Sequence, residues 1–317
     1  MVEINPTNKY NANNGKVKKL KFSIVCDSSA DLQGNYAEEN DISVIPFYVS
    51  FDGENFKKEG KEVPIDKFYE AMSAHEDCFP TTSMPSVRDY IDAFAPMVEK
   101  GVPILCVCLT SLFSGSYQSA MTAKQMIEDE VEGAKIEVID SQLVTALEGL
   151  FVMEAVRLRN LGIELDTAVE KLKEIRSTGH IFFTTKDLKY LEHGGRIGKI
   201  ASMAGSMLNI KPLLHFCDGE LQPTQLCRGR KRSIAKVIDM FIDYLDKNNL
   251  NLDGYYFGTG IGMDVPEYET LINNIEDKFK ERGIKPYKWI KVQIGTTIGV
   301  HTGPYPVGLG FLKKCEV

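Results

Sequence analysis

Residues 80–86 concentrate small hydroxyl side chains at the expected start of a helix, in the order Pro-Thr-Thr-Ser-Met-Pro-Ser. Ser83 fits an N-cap, since its hydroxyl can accept a hydrogen bond from a backbone N–H of the first turn, and Pro85 presets the backbone there. Capping needs only one hydroxyl, so Thr81 and Thr82 are left over. Because a helix start favours an anion, the segment indicates either simple capping or a carboxylate site.

A second hydroxyl-rich loop, residues 110–119, follows a buried apolar run and opens another helix. It therefore stands at the carboxyl end of a strand, where open α/β sheets bind ligands. Gly115 permits close approach of the backbone, and Ser114 can direct its hydroxyl outward. The loop contains neither a Gly-x-Ser-x-Gly nucleophile elbow nor a Walker phosphate loop. Together with residues 80–86, it predicts a hydroxyl-lined anion pocket.

His301 stands among residues that constrain the backbone, in the order Gly-Val-His-Thr-Gly-Pro over residues 299–304. A single histidine is often structural. The flanking glycines and proline indicate a loop with no core to fill, which raises a second interpretation, in which a ring nitrogen donates a hydrogen bond to a bound carboxylate.

A short basic run, residues 228–232, precedes a long amphipathic helix in the order Arg-Gly-Arg-Lys-Arg. Positive charge at a helix N-terminus opposes the helix dipole. The run is either a solvated surface or a docking patch for an acidic protein or a phosphate group.

The elements that must position these residues differ between the two halves of the chain. Four Val-, Ile- or Phe-rich runs predict buried strands in the first half, at residues 21–26, 42–51, 103–109 and 135–139. Helical patterns lie between or after them, at residues 30–39, 66–75, 87–100, 117–129, 144–161 and 163–175. Strands that alternate with helices indicate a parallel sheet covered on both faces.

The second half reads as a mixed α+β unit. Strands are predicted at residues 181–184, 211–216, 220–226, 255–258 and 289–294. Asp218 and Gly219 form a hairpin turn signal, and residues 234–245 carry a helical apolar stripe. The predicted fold is α/β, with an N-terminal parallel-sheet α/β domain at residues 21–175, a C-terminal α+β domain at residues 176–317 and a ligand between them. Residues 1–20 read as a flexible extension.

Composition limits the functional classes. The 37 basic and 44 acidic residues give a net charge of −7, which disfavours nucleic-acid binding. Cys106 and Cys108 read as small core residues, because the sequence has no Cys-x-x-Cys motif and no clustered histidine beside them. No metal site and no cofactor are predicted. No apolar run is long enough to span a bilayer and no secretory signal is present, so we expect a cytoplasmic protein without stable membrane insertion.

Six segments in this order resemble the DegV family, the fatty-acid-binding proteins of bacteria. The resemblance covers residues 21–311, and its landmarks lie at residues 27–32, 81–86, 114–120, 194–197, 209–212 and 301–304. It implies two domains that enclose a long-chain fatty acid such as palmitate, stearate or oleate. The chain departs from the family pattern at Met84, Phe113 and Tyr305, and Tyr305 adds bulk next to the expected head-group site.

The resemblance also implies roles for individual residues. The hydroxyls of Thr82, Ser83 and Ser114 would hold the carboxylate, with Gly115 beside them. His301 is expected nearby, and Arg196 matches a family arginine at the head-group end. Such proteins present the acid to a separate fatty acid kinase, which makes an acyl phosphate for phospholipid synthesis.

Two other functions remain open at this point: a serine-based lipid hydrolase that uses Ser114 with His301, and a regulatory module that senses the lipid. Residues 143–156 and 200–214 are apolar enough to line the acyl chain, with Met203, Met207 and Leu208 adapting to its shape. A monomer is expected, because no coiled-coil or repeat pattern is found.

Overall fold

The structure is a computed structural model of the chain. It describes residues 20–74, 78–203, 209–263, 265–285 and 288–317. Of the expected N-terminal extension only residue 20 falls within these ranges. Met207, Leu208 and the side chain of Met203, which the sequence analysis placed along an acyl chain, lie outside the described part.

Strands and helices alternate along the first half of the chain. Their bounds are β1 (Ser23–Asp27), α1 (Tyr36–Glu39), β2 (Ile42–Ile45), β3 (Tyr48–Ser50), β4 (Lys57–Lys58), α2 (Ile65–Ala74), β5 (Thr81–Ser83), α3 (Val87–Val98), β6 (Ile104–Cys108), α4 (Ser116–Glu130), β7 (Ile136–Asp140), α5 (Thr145–Asn160) and α6 (Leu165–Ile175).

The second half is richer in strands. Its elements are β8 (His180–Thr184), α7 (Lys189–His193), β9 (Ile210–Cys217), β10 (Glu220–Arg228), α8 (Arg230–Lys247), β11 (Tyr255–Ile261), α9 (Val265–Glu281), β12 (Trp289–Gln293), α10 (Thr296–Thr302) and β13 (Val307–Lys313). Short 3-10 turns occupy Ser28–Ala30, Arg176–Thr178, Gly198–Met203 and Leu252–Gly254.

The first sheet is parallel, with strand order β2-β1-β6-β7. Every residue of β6 is buried, as expected for a central parallel strand that helices cover on both faces. Cys106 and Cys108 are two of these buried residues, in agreement with their interpretation as core side chains. The carboxyl ends of these strands meet at one edge, where the loop before α4 begins.

The second sheet has six strands in the order β10-β9-β8-β13-β11-β12 and is mostly antiparallel. Asp218 and Gly219 both have positive φ and join β9 to β10, which confirms the predicted two-residue hairpin. The apolar stripe of α8 packs on the outer face of this sheet with Phe257, Leu309 and Phe311. The mixed second half is therefore confirmed, and with it the predicted fold class.

A small third sheet, β4-β3-β5, corrects part of the sequence analysis. The apolar run at residues 42–51 divides into β2 and β3, which belong to different sheets. The helix predicted at residues 30–39 is wrong: after a 3-10 turn the chain forms only the four-residue helix α1. Asp31 has a left-handed φ of 47° there, a conformation that a continuing helix does not allow.

Helix α5 lies between the two large sheets and is buried along most of its length. Leu147 and Leu150 belong to the same core as Leu312 of β13. The two halves therefore share one continuous apolar core at α5, and the boundary predicted between residues 175 and 176 stays a prediction. Among the described helices, none is both long and apolar enough to cross a bilayer.

Candidate functional site

A cavity of about 330 Å³ lies between the two halves of the chain. Most of its wall is apolar, and it includes the start of α5 and the inner face of the six-stranded sheet. All six residues singled out from the sequence line it: Thr82, Ser83, Ser114, Gly115, Arg196 and His301. They come from four separate segments, so the fold, rather than chain proximity, brings them together.

Thr82 and His301 face each other across the polar part of the cavity. The Thr82 hydroxyl oxygen lies 3.3 Å from Nε2 of His301. His301 lies on α10, so it belongs to a helix rather than to the loop expected from its glycine and proline neighbours. Burial, together with the positive charge of Arg196, lowers the pKa of His301 to about 4. The imidazole is therefore neutral at pH 7.

The other ring nitrogen of His301, Nδ1, is buried and has no hydrogen-bond partner in the described part of the chain. Gly194 makes room for it, because a Cβ at Gly194 would lie only 2.1 Å from Nδ1. A buried polar atom without a partner is costly in a folded protein. The site thus holds an unused hydrogen-bonding atom next to the Gly194 loop.

Two buried acidic side chains position α10, and the sequence analysis missed both. Glu59 accepts hydrogen bonds from the hydroxyl of Thr296 at 2.9 Å and from the backbone N–H of Thr297 at 2.8 Å. Asp31 accepts from the backbone N–H of Gly295 at 3.0 Å. Burial raises the pKa of Asp31, and the nearby Glu59 charge adds to the effect. These contacts fix the helix that carries the histidine.

Arg196 follows α7 in the loop that passes next to the Ser114 segment. Its Nε donates to the carbonyl of Phe113 at 3.1 Å, and a terminal nitrogen donates to the carbonyl of Gly194 at 2.5 Å. No Asp or Glu among the described residues forms an ion pair with it. Backbone carbonyls therefore hold the guanidinium in place at the cavity, while its positive charge has no carboxylate counterpart there.

Ser114 and Gly115 stand at the start of α4, as predicted. The Ser114 hydroxyl oxygen accepts the backbone N–H of Ser116 at 3.1 Å, so its hydrogen is free to donate to another group. A Cβ at Gly115 would lie 2.6 Å from the sulfur of Met84. A side chain at this position would therefore require the flexible Met84 side chain to move aside, and no unusual φ is involved.

The capping role predicted for Ser83 is wrong. Ser83 is the last residue of β5 and pairs with Tyr48, whereas Ser86 is the N-cap of α3 and forms a capping box with Asp89. Pro85 accordingly precedes the cap and is not a residue of the first turn. A strand that pairs with β3 delays the helix by three residues, which leaves the hydroxyl of Ser83 at the cavity without a capping task.

Four glycines in two paired strands form part of the wall, and the sequence analysis missed them. Gly258 pairs directly with Gly310, and Gly260 pairs with Gly308; all four line the cavity. Glycine inside a strand indicates close approach of another group. A Cβ at Gly308 would lie 2.4 Å from Cβ of Phe183. Gly-x-Gly in two strands, β11 and β13, is a signal that could have identified this wall.

Part of the segment that the sequence analysis placed along an acyl chain lies at the cavity. Val144, Thr145, Ala146 and Leu147 line the cavity, within the predicted range 143–156. Of residues 200–202 and 209–214, none lines it. Ile200 and Leu214 instead belong to the same apolar core as Phe216, which does line the cavity.

Tyr305 and the basic run before α8 are linked to each other rather than to the cavity. The ring of Tyr305 is not part of the cavity wall, and its carbonyl accepts a hydrogen bond from Arg230 at 2.6 Å. Arg230 also forms a two-pronged ion pair with Glu267 on α9. The carboxylate of Glu267 therefore offsets the unfavourable interaction between the positive charge of Arg230 and the dipole of α8.

The chain is similar to DegV-family proteins along nearly its whole length. A family model described as an uncharacterised protein of the DegV family matches residues 21–314. A DegV domain-containing protein of Caldanaerobacter subterraneus is 31% identical over 296 residues, which cover 93% of this chain and 99% of that protein.

Two solved structures are similar in both sequence and fold. A fatty acid (stearic acid)-binding protein from Eubacterium ventriosum is 36% identical with a TM-score of 0.86, covering 92% of this chain and 98% of that one. DegV of Bacillus subtilis, described as a fatty acid binding protein, is 25% identical with a TM-score of 0.75, covering 93% of this chain and 100% of that one.

Proposed function

The chain belongs to the DegV family, and we propose that it binds one long-chain fatty acid and presents the carboxylate to a separate fatty acid kinase. One observation carries the proposal. An apolar cavity contains, in its polar part, Arg196, which forms no ion pair with any Asp or Glu of the described residues, beside a neutral histidine and three hydroxyl groups. A fatty acid has the matching chemistry: one anionic group on an apolar chain.

The carboxylate would be held by hydrogen bonds that its charge strengthens. Thr82, Ser83 and Ser114 offer hydroxyl donors at the cavity, and the oxygen of Ser114 is already engaged by a backbone N–H. Arg196 supplies the positive charge. Gly115, next to Ser114, keeps the loop close to Met84.

The acyl chain would supply most of the affinity. About 15 buried methylene groups contribute at most ~12 kcal/mol, at roughly 0.8 kcal/mol each. Ordering the flexible chain and restricting its motion offset a large share of that energy. The polar contacts would therefore determine which end of the ligand faces the hydroxyls, and palmitate, stearate and oleate are all suitable ligands.

Transfer to a kinase requires that the head group be reachable. Two large apolar side chains near the hydroxyl loops are exposed, Met84 at 44% and Leu112 at 62%, and Met84 also lines the cavity. They offer an apolar contact for a partner protein next to the expected carboxylate position. In the kinase reaction, a carboxylate oxygen would attack the γ-phosphorus of ATP, forming an acyl phosphate as ADP leaves.

The rival function, a hydrolase that uses Ser114 with His301, has less support. Catalysis of that type needs a third group that orients the histidine. In the described structure Nδ1 of His301 has no partner, and its Nε2 faces Thr82. The geometry therefore favours a role for His301 as a neutral hydrogen-bonding side chain at the head group over a role as a general base.

Mass spectrometry of protein purified without added lipid tests the binding function. We expect a mass increase equal to one fatty acid under native conditions, and release of the acid on denaturation. The variant Thr82→Val/Ser114→Ala serves as the comparison and should retain less acid. Ligand-free protein that neither takes up added stearate nor shows saturable binding would refute the proposal, and turnover of esters by such protein would favour the hydrolase.

Acyl-phosphate formation tests presentation. A bacterial fatty acid kinase, ATP and the loaded protein are combined, and acyl phosphate is trapped as the hydroxamate. We expect product with wild-type protein and less with Leu112→Asp, since Leu112 is exposed and does not line the cavity. If loaded protein yields no more product than free stearate at the same concentration, the role in presentation is wrong, and a lipid-sensing module becomes the better interpretation.

A further inference from the structure

Three side chains with metal-binding atoms meet on the outer face of the six-stranded sheet. They are His180 on β8 and His215 and Cys217 on β9, and their ligand atoms all lie within 4.8 Å of one another. Nδ1 of His180 and Nε2 of His215 are 2.9 Å apart. The sequence analysis predicted no metal site, because the two histidines are 35 residues apart in the chain and only the strand pairing brings them together.

We propose that His180, His215 and Cys217 form a binding site for a divalent transition metal, with Zn²⁺ as the best-fitting ion. Imidazole nitrogen and thiolate sulfur are the ligands that zinc prefers, at about 2.0–2.1 Å and about 2.3 Å. Tetrahedral geometry then requires a nitrogen–nitrogen distance of roughly 3.3 Å, so the two nitrogens, which are in hydrogen-bond contact at 2.9 Å, would move apart by about 0.4 Å to admit the ion. Three protein ligands leave a fourth position open, as in other zinc sites that admit water.

The surrounding side chains orient the two rings as a metal site requires. Nε2 of His180 lies 2.8 Å from the hydroxyl of Tyr244, so its N–H can donate there while Nδ1 turns a lone pair toward the metal. The ring of His215 stacks on Phe182, with centroids 4.4 Å apart and planes 6° from parallel. Both orientations are therefore determined by neighbouring side chains.

A negative charge lies next to the cluster. The exposed carboxylate of Asp218, next to Cys217 in the hairpin, adds negative charge beside the site. Such a charge favours a cation.

The metal site and the proposed fatty acid site lie on opposite faces of the same strands. Ile181, Phe183 and Phe216 line the cavity, and they alternate along β8 and β9 with His180, His215 and Cys217. Because side chains alternate across a strand, the two sites are separated by the thickness of one sheet. The two proposals can therefore fail independently.

Metal titration of the full-length protein without an affinity tag tests the site. Protein freed of metal with EDTA is titrated with Zn²⁺ by calorimetry, and with Co²⁺ by absorption spectroscopy. We expect one Zn²⁺ per chain, and for Co²⁺ both a thiolate-to-metal charge-transfer band and the intense visible bands of tetrahedral cobalt. The variant Thr82→Val/Ser114→Ala should bind Zn²⁺ like wild type, because it alters only the other face.

Matched cysteine variants identify the ligands. Cys217→Ala should abolish the charge-transfer band and weaken Zn²⁺ binding at least 10-fold, and His215→Gln should weaken it similarly. Cys227→Ala is the control, since Cys227 is equally buried on the adjacent strand, at 7% exposure against 8% for Cys217. Tyr244→Phe should weaken binding by about 10-fold through loss of the orienting contact.

The outcomes separate clearly. The proposal is overturned if wild type shows no saturable Zn²⁺ binding, or if binding persists unchanged in both Cys217→Ala and His215→Gln. A circular dichroism spectrum and a melting temperature recorded in EDTA establish that each variant is folded. Should Cys217→Ala be unfolded, His215→Gln together with the Co²⁺ spectrum of wild type decides the question.

Discussion

The hydroxyl of Thr82 and the imidazole of His301 lie 3.3 Å apart, although 219 residues separate them in the chain. Thr82 belongs to β5 in the first half, and His301 to α10 in the second half. The polar part of the cavity therefore exists only when both halves are folded and assembled. Loss of this contact should affect the head-group site before it affects either sheet.

Removal of two hydroxyls should weaken fatty acid binding while leaving the fold intact. Each hydrogen bond to a charged group contributes about 1.5–3 kcal/mol, so Thr82→Val with Ser114→Ala should raise the Kd for stearate by 100-fold or more. Displacement of a fluorescent fatty acid measures this effect. Thr81→Val is the matched control, because Thr81 is exposed on the same strand and does not line the cavity. Equal Kd values for the double variant and wild type would show that the carboxylate lies elsewhere.

Replacement of Arg196 should remove the preference for an anion. Arg196→Gln retains a side-chain donor but loses the charge, so we expect a weaker affinity for lauric acid and an unchanged affinity for 1-dodecanol. Calorimetric titration with both ligands gives the ratio for variant and wild type. Parallel losses for acid and alcohol would instead mean that Arg196 supports only the shape of the loop.

The neutral state of His301 should make stability depend on pH. Its pKa in the folded protein is about 4, below the value of about 6.5 for an unfolded chain. The unfolded state therefore binds more protons between these values, and the contribution of His301 to stability falls as pH decreases from about 6.5 to about 4. Below pH 4 the difference no longer grows.

Urea denaturation of wild type and His301→Gln from pH 4 to pH 8 tests this dependence. Other groups contribute to both proteins, so the difference in unfolding free energy between the two isolates His301. We expect wild type to lose stability relative to His301→Gln as the pH falls from about 6.5 to about 4. A difference independent of pH would contradict the low pKa.

Arg230 should be important for stability, unlike the rest of the basic run. Its ion pair with Glu267 is only about one-fifth exposed on either side, and it also donates to the carbonyl of Tyr305. We expect Arg230→Gln to destabilise the fold by about 1–3 kcal/mol, with a melting temperature lower by several degrees. Arg232 is exposed, so the unfolding free energy of Arg232→Gln should stay within about 0.5 kcal/mol of that of wild type. If both variants melt alike, the ion pair is not stabilising.

A side chain at Gly258 should shorten the acyl chain that fits. A Cβ there would make ordinary contacts with Leu150 at 3.4 Å and Ala146 at 3.5 Å, so Gly258→Ala should fold and bind normally. The valine side chain of Gly258→Val would occupy the space of about 2–3 methylene groups of the ligand, so stearate should bind more weakly by roughly 2 kcal/mol. Laurate should bind unchanged. A uniform loss for both acids would indicate distortion of the sheet instead.

The sequence was sufficient to locate the hydroxyl loops, because residues 80–86 carry more hydroxyls than capping requires, and to single out His301, because glycine and proline flank it. It placed Ser83 wrongly, since the strand that Thr81–Ser83 forms depends on pairing with Tyr48–Ser50, a contact between distant segments. Propensity within a short window does not detect such pairing. The helix expected at residues 30–39 is wrong for a similar reason, because the buried side chain of Asp31 accepts a hydrogen bond from the distant backbone N–H of Gly295.

The residues that the sequence analysis missed share one property. Glu59, Gly194 and Gly258 act through what lies next to them in space: α10, the His301 ring and helix α5. Neither residue type nor local spacing reveals a neighbour from the other end of the chain. The cluster of His180 and His215 was missed on the same grounds, since strand register alone creates it.

The hydrogen bonds between Glu59 and α10 limit how a ligand can enter and leave the cavity. Three hydrogen bonds from Thr296 and Thr297 converge on this one carboxyl group, and each hydrogen bond to such a group contributes about 1.5–3 kcal/mol when the group is charged. A hinge motion that parted the two halves would have to break all three at once. We therefore expect a ligand to enter and leave without separation of the two halves, next to Met84, which is exposed and also lines the cavity.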